Sequence, residues 1–191
     1  MKNGNDTSKR IMEVALKLFS EKGYYSTTTK QIAEESNVNE VTIFRHFGNK
    51  ANIFQEITEH YVVDTRADFI LEEVDNLDFE AAMITISKRI YQLYIRSKRL
   101  YLLQMKLSDE EREIIKLKLS RHLIALLTTY FNDLKKQEKI SGQSSLMAAT
   151  LINSLLGAFT VELLGEHTVT DFSWMEIVEE HAKQFAALYQ K

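Results

Sequence analysis

Cysteine and proline are both absent from this chain of 191 residues. Without cysteine there is no disulfide, no thiolate metal site and no cysteine nucleophile. Without proline, no helix is interrupted by a missing N–H or a pyrrolidine ring. Only 6 glycines remain as breakers, so long helices meet little resistance. A large charge of one sign is also lacking, since the formal net charge is −3. Residues 1–10 are polar and run straight into an amphipathic pattern, with no signal-peptide hydrophobic run. No uncharged apolar stretch is read as approaching the ~18 residues of a membrane span, so no membrane association is expected. The expected location is cytoplasmic. No strand alternation, repeat or low-complexity run is visible.

What is present is ordinary globular composition, 45% hydrophobic and 27% charged. The charge is unevenly spread. Residues 1–50 hold 8 Lys/Arg against 6 Asp/Glu, and the remainder holds 16 against 21. A mildly basic head on an acidic body suits a protein that meets phosphate at one end. An enzyme reading finds no nucleophile–base constellation, no phosphate-cradling glycine loop and no paired-carboxylate motif. Asp109-Glu110-Glu111 reads instead as an acidic helix start. His122, His167 and His181 are scattered without ligand spacing, so no metal site and no cofactor are expected.

Helical periodicity is clear from the start. Ile11, Val14, Ala15, Leu18 and Phe19 form one apolar stripe, and Gly23 stands where a left-handed cap is wanted. Thr28 and Gln31 have capping-box spacing and open a short helix carrying Ile32 and Ala33, which ends near Ser36. Asn37 tolerates positive φ and marks a tight turn. Asn39 caps a third helix from Glu40 to about His46, with Ile43 and Phe47 inward. Gly48-Asn49 makes another turn, with Asn49 as the next cap. Two short helices joined by a turn of about four residues, with Val14, Leu18, Phe19, Ile32, Ala33, Val38, Ile43 and Phe47 as core, define a helix-turn-helix. Further helices are expected at about 49–75, 79–96, 98–107, 109–138, 144–166 and 171–190. Their caps would be Asp78, Ser108, Ser144 and Asp171 or Ser173, with a break at Ser141-Gly142.

Residues 9–54 resemble the DNA-binding segment of TetR-family bacterial transcriptional regulators. Ile11, Ala15, Phe19, Gly23-Tyr24, Thr28-Thr29, Ile32-Ala33, Val38, Thr42, His46-Phe47 and Lys50 carry the resemblance in register. It implies an all-α fold: a three-helix DNA-binding head at 1–50, then a six-helix TetR-like ligand-binding and dimerisation body at 51–191. The fourth helix would connect them. Four positions depart from the family pattern. Asn37 replaces a usual glycine, Phe44 a usual tyrosine, and Ala51-Asn52 usual glutamates. Glu40 puts a carboxylate on the exposed side of the third helix, where it would accept from a cytosine amino group or pair with a neighbouring base-contacting side chain.

Removing the inward residues leaves Glu40, Val41, Thr42, Phe44, Arg45 and His46 for the major groove. Thr42 would bond a phosphate or touch a thymine methyl, Phe44 would pack on methyls and sugars, and Arg45 would read guanine. His46 and Lys50 stand at helix ends suited to phosphate, as do Thr28, Thr29 and Lys30 at the start of the second helix. The expected partners are a palindromic double-stranded operator, a second copy of the chain through about 144–166 and 171–190, and an unknown small-molecule effector. The two apolar C-terminal stripes either finish the monomer core or form a four-helix bundle across the dimer. Met83, Tyr91, Tyr94, Tyr101, Met105, Phe131 and Phe159 either line a ligand cavity, as the resemblance implies, or make ordinary core. The expected function is a transcriptional regulator, a repressor by family habit. The alternative is one controlled by a protein partner or without an effector.

Overall fold

The structure is a computed structural model and describes residues 2–63, 67–105, 118–165 and 171–191. Among the described residues there are ten α-helices and one 3-10 turn. The chain divides into two compact units, Met1–Asp64 with Ser97–Lys116, and Thr65–Arg96 with Leu117–Lys191. The first holds α1 (Lys2–Lys22), α2 (Thr29–Glu35), α3 (Glu40–Phe47), α4 (Lys50–Val63) and α7 (Lys98–Met105). The second holds α5 (Ala67–Leu71), the 3-10 turn (Val74–Asn76), α6 (Phe79–Arg96), α8 (Lys118–Lys136), α9 (Ser144–Leu163) and α10 (Trp174–Tyr189). The expected head boundary falls at residue 50; the compact unit containing that head extends through α4 and takes in α7.

The first unit is organised by one apolar cluster. Ile11, Ala15, Leu18 and Phe19 of α1 meet Ile32, Ala33, Ile43 and Phe47, while Val14 and Val38 lie partly buried against them. The cluster also takes Ile53, Phe54 and Ile57 from α4 and Leu103 from α7, which local periodicity did not reveal. Phe19 is the hub: its ring lies 5.2 Å from Tyr24 and 5.8 Å from Phe54, in tilted and edge-on geometry.

In the second unit α6 packs along α10 and α9, and α9 packs along α8. Phe131 of α8 is fully buried between Phe79 and Phe185, with ring centroids at 6.5 and 6.0 Å. The chain end is tied back: Ser141 N–H donates to the Tyr189 carbonyl at 2.8 Å, and Lys191 N–H to Lys139 at 3.2 Å. Gly142 makes this approach. Its φ is 104°, and a Cβ there would meet the Tyr189 ring and Met147 Sδ at 3.0 Å.

Several boundaries differ from expectation. The helix expected over 49–75 is α4, then α5, then the 3-10 turn. Glu73 has φ 61°, a left-handed conformation that cannot continue a right-handed helix. No glycine or proline announces that break. Ser144 is not a cap but the first helical residue; Gln143 occupies the cap position without a side-chain bond. Asp78 and Ser173 cap as expected, Ser173 within a full capping box with Glu176. Ser108, Asp109-Glu110-Glu111 and His167 lie outside the described residues.

The expectation about apolar length is corrected by α9. Its 20 residues contain an 18-residue window of mean hydropathy 1.6, long and apolar enough to cross a membrane by length and composition alone. One face, with Met147, Ala148, Leu151, Ile152, Leu155 and Phe159, is buried in the second unit. The opposite face is not: Leu146, Thr150, Asn153, Gly157 and Leu164 are exposed at helical spacing.

Candidate nucleic-acid interface

The positions that matter are set by local backbone chemistry. The Thr28 hydroxyl accepts from Gln31 N–H at 3.2 Å, and the Gln31 side chain accepts from Thr28 N–H at 3.0 Å, closing a capping box. Asn37 takes φ 52° and reverses the chain after α2. The Asn39 carboxamide oxygen accepts from Val41 N–H at 3.0 Å and starts α3. Gly48, at φ 75°, ends α3, and the Asn49 side chain accepts from Asn52 N–H at 2.8 Å to start α4.

Burying Ile43 and Phe47 turns the other side of α3 outward. Val41 is 70% exposed and Phe44 50%, with Arg45 exposed beside them. Thr42 and His46 are half-buried. Exposed Lys30 continues this surface from α2. Two large apolar side chains left in water beside a guanidinium make a face suited to a partner with both methyl groups and anionic or acceptor edges.

Other expected site residues already have partners within the chain. The Glu40 carboxylate accepts from the Thr29 hydroxyl at 2.6 Å, which ties the starts of α2 and α3 together. His46 Nδ1 lies 2.9 Å from Ser8 Oγ of α1. The Lys50 ammonium donates to the carbonyls of Tyr24 and Thr27 at 2.8 and 2.9 Å, and sits 4.3 Å from the Tyr24 ring centroid. Lys50 therefore fastens the start of α4 to the α1–α2 connector. Tyr25, 72% exposed and a few residues before the α2 cap, has its ring centroid 6.0 Å from the Lys50 ammonium and was not singled out in the sequence. An aromatic in an otherwise polar connector was the available signal.

The aromatic and methionine candidates divide between the units. Met83, Tyr91, Tyr94, Phe131 and Phe159 are buried in the second unit. Tyr101, buried, and Met105, exposed, lie on α7 in the first. Tyr94 and Phe159 pack ring to ring at 5.7 Å. The Tyr91 hydroxyl donates to the Glu162 carboxylate, and burial with that carboxylate beside it raises the hydroxyl's pKa, keeping it a donor. Burial and the nearby Asp75 charge push Tyr130 up to about 12.

These elements define a helix-turn-helix protein with an all-helical second unit. Residues 11–57 match the family model described as bacterial regulatory proteins, tetR family. It is 42% identical over 69 residues to the HTH-type transcriptional regulator YvkB of Bacillus subtilis, a match covering 36% of this chain and 35% of that protein. It is 29% identical over 128 residues to IcaR of Staphylococcus epidermidis, the biofilm operon icaADBC negative transcriptional regulator, covering 66% of each. The chain thus spans about a third of the length of YvkB and just under two thirds of IcaR. Its fold is similar to that of NalD of Pseudomonas aeruginosa, the secondary repressor of the MexAB-OprM multidrug efflux pump. That comparison has a TM-score of 0.75 at 19% identity, over 100% of this chain and 99% of the other.

Proposed function

We propose that this chain is a DNA-binding transcriptional repressor that holds a palindromic operator as a homodimer and releases it on binding a small-molecule effector. The observation that carries the DNA-binding reading is the outward face of α3. Val41, Phe44 and Arg45 are exposed there on a helix whose position is fixed by two caps and a shared core. Arg45 reads guanine, Phe44 and Val41 meet thymine methyls and sugars, and Thr42 supports them. The Thr29 and Lys30 backbone N–H groups, which the capping box at the start of α2 does not use, take phosphate, with the Lys30 side chain beside them. Thr28, Thr29, Glu40, His46 and Lys50 hold those groups in place through the bonds described above.

One such head makes few contacts, so a dimer matching half-sites about 34–36 Å apart supplies the affinity. The unburied faces of α9 and α10 support this. On α10 Trp174, Ile177, His181, Gln184 and Leu188 recur at three- and four-residue spacing, and Leu188 is 71% exposed. Two such helices from each copy make a four-helix bundle. The effector reading rests on the second unit's interior of Met83, Tyr91, Tyr94, Phe131 and Phe159, aromatic and soft enough to accept an organic molecule. The repressor reading is supported by the negative regulator among its relatives.

The test is a gel shift on the gene's own upstream region with wild type and Arg45→Ala. Losing one bidentate guanine contact costs about 1–3 kcal/mol, so the variant binds several-fold to a hundred-fold more weakly. Equal binding by both would remove Arg45 as a base reader.

A further inference from the structure

Glu162 sits in a place that suits a negative charge poorly. It lies in the last turn of α9, where the helix dipole presents its own negative end. It is only partly exposed, and among the described residues it is bonded by a neutral donor, the Tyr91 hydroxyl. No cationic side chain pairs with it among the described residues. Glu179 in the same unit shows the contrast: Lys88 meets it at 2.5 Å and Lys183 at 3.1 Å. A carboxylate offers about four acceptor positions, and Tyr91 uses one. A second observation lies one helical turn away. Ser87 is fully buried, and its Oγ has no hydrogen-bond partner. It precedes Tyr91 by four residues, on the same face of α6, and the Tyr91 side chain leans back over that turn. A buried hydroxyl left unpaired costs about 1–3 kcal/mol, which a bound group can recover.

We propose that Glu162, with Tyr91 and Ser87, forms the polar end of a site for an organic cation, a protonated amine or quaternary ammonium with an apolar body. The proposal rests on the effector reading above and names the effector's chemical class. The carboxylate supplies the missing counter-charge for the cation, and the Tyr91 hydroxyl holds one oxygen so that the other faces the ligand. Ser87 accepts an N–H where the ligand has one. The buried Tyr94–Phe159 ring pair lies on the same two helices, one turn from Tyr91 and Glu162. A neutral or anionic molecule of the same shape gains none of this.

The experiment is calorimetric titration of the full chain with shape-matched probes. Benzyltrimethylammonium is set against neutral neopentylbenzene, and tetraphenylphosphonium against anionic tetraphenylborate. At least one cation binds, about 10-fold or more tightly than its counterpart, because only the cation meets the carboxylate. Glu162→Gln, similar in shape but uncharged, loses about 10-fold of that cation's affinity. Tyr91→Phe keeps the charge and loses less. Should Glu162→Gln fail to unfold cooperatively, the charge discrimination in the wild type still decides. The site is overturned if neither cation binds, if the counterparts bind as well, or if a folded Glu162→Gln is unaffected. Operator release, read by gel shift in parallel, separates the two readings. Cation binding without release keeps the site and removes the effector reading. Release by a neutral or anionic compound, with no cation bound, keeps the effector reading and overturns the site.

Discussion

Asn37 carries the reversal between α2 and α3 in a conformation most residues avoid. At φ 52° a Cβ crowds the following carbonyl, a strain of about 1–2 kcal/mol that asparagine partly escapes through its short polar side chain. Asn37→Ala is expected to lower unfolding free energy by about 1 kcal/mol, and Asn37→Gly to leave it equal or higher, in urea titrations. His181 makes a pH prediction at the same scale. It lies half-buried with Nδ1 unpartnered, and burial lowers its pKa from 6.5. The unfolded chain therefore takes up this proton first as pH falls. Stability from His181 is complete above 6.5 and is lost as pH drops below that toward the folded value. His181→Gln is expected to flatten this part of the melting temperature against pH profile; an unchanged profile would assign the acid sensitivity to other groups.

Helices α2, α3 and α4 are short, and their arrangement depends on fastenings between them as much as on the core. Thr29 bonds Glu40 between α2 and α3, and Lys50 bonds the two connector carbonyls before α2. Hydrogen bonds from a charged donor contribute about 1.5–3 kcal/mol each when partly buried. Lys50→Met, keeping the stem and losing the ammonium and its two bonds, is expected to destabilise the chain by about 3–6 kcal/mol on that basis. The salt dependence of operator binding separates this fastening from a phosphate contact. A lost phosphate contact lowers the log–log slope by about 0.9, whereas a lost fastening weakens binding without changing it.

At the scale of the whole molecule the question is what covers the apolar faces left open on α9 and α10. Leu146 is 59% exposed and Leu164 63%, on the face of α9 opposite its buried stripe. Introducing a charge on each helix, Leu146→Glu with Leu188→Glu, is expected to give a folded monomer in light scattering. Operator affinity should fall steeply, because each head then binds its half-site alone. A double variant that stays dimeric would place the interface elsewhere. The apolar length of α9 belongs to this scale too: one side of the helix is covered by its own unit, and the other is exposed.

Much of the head is legible in the sequence because its determinants are local. Capping by Thr28 with Gln31, Asn39 and Asn49, the left-handed turn at Asn37 and the ends at Gly23 and Gly48 are decided within four residues of chain. Periodicity places Leu18, Phe19, Ile32, Ile43 and Phe47 inside for the same reason. Tertiary structure alone decided that Leu103 of α7 completes that core, from about sixty residues beyond α3. It alone decided that Lys50, His46 and Glu40 have partners within the chain, since a charged side chain's use depends on which carbonyl or hydroxyl folding brings near it. The left-handed Glu73 and the pairing of Tyr91 with Glu162 belong with these: no residue type announces them. The sequence by itself determined where helices begin, turn and present an apolar stripe, because those are short-range steric and hydrogen-bonding choices. Only tertiary structure decided which polar groups are already satisfied, because satisfaction is a property of neighbours distant in the chain.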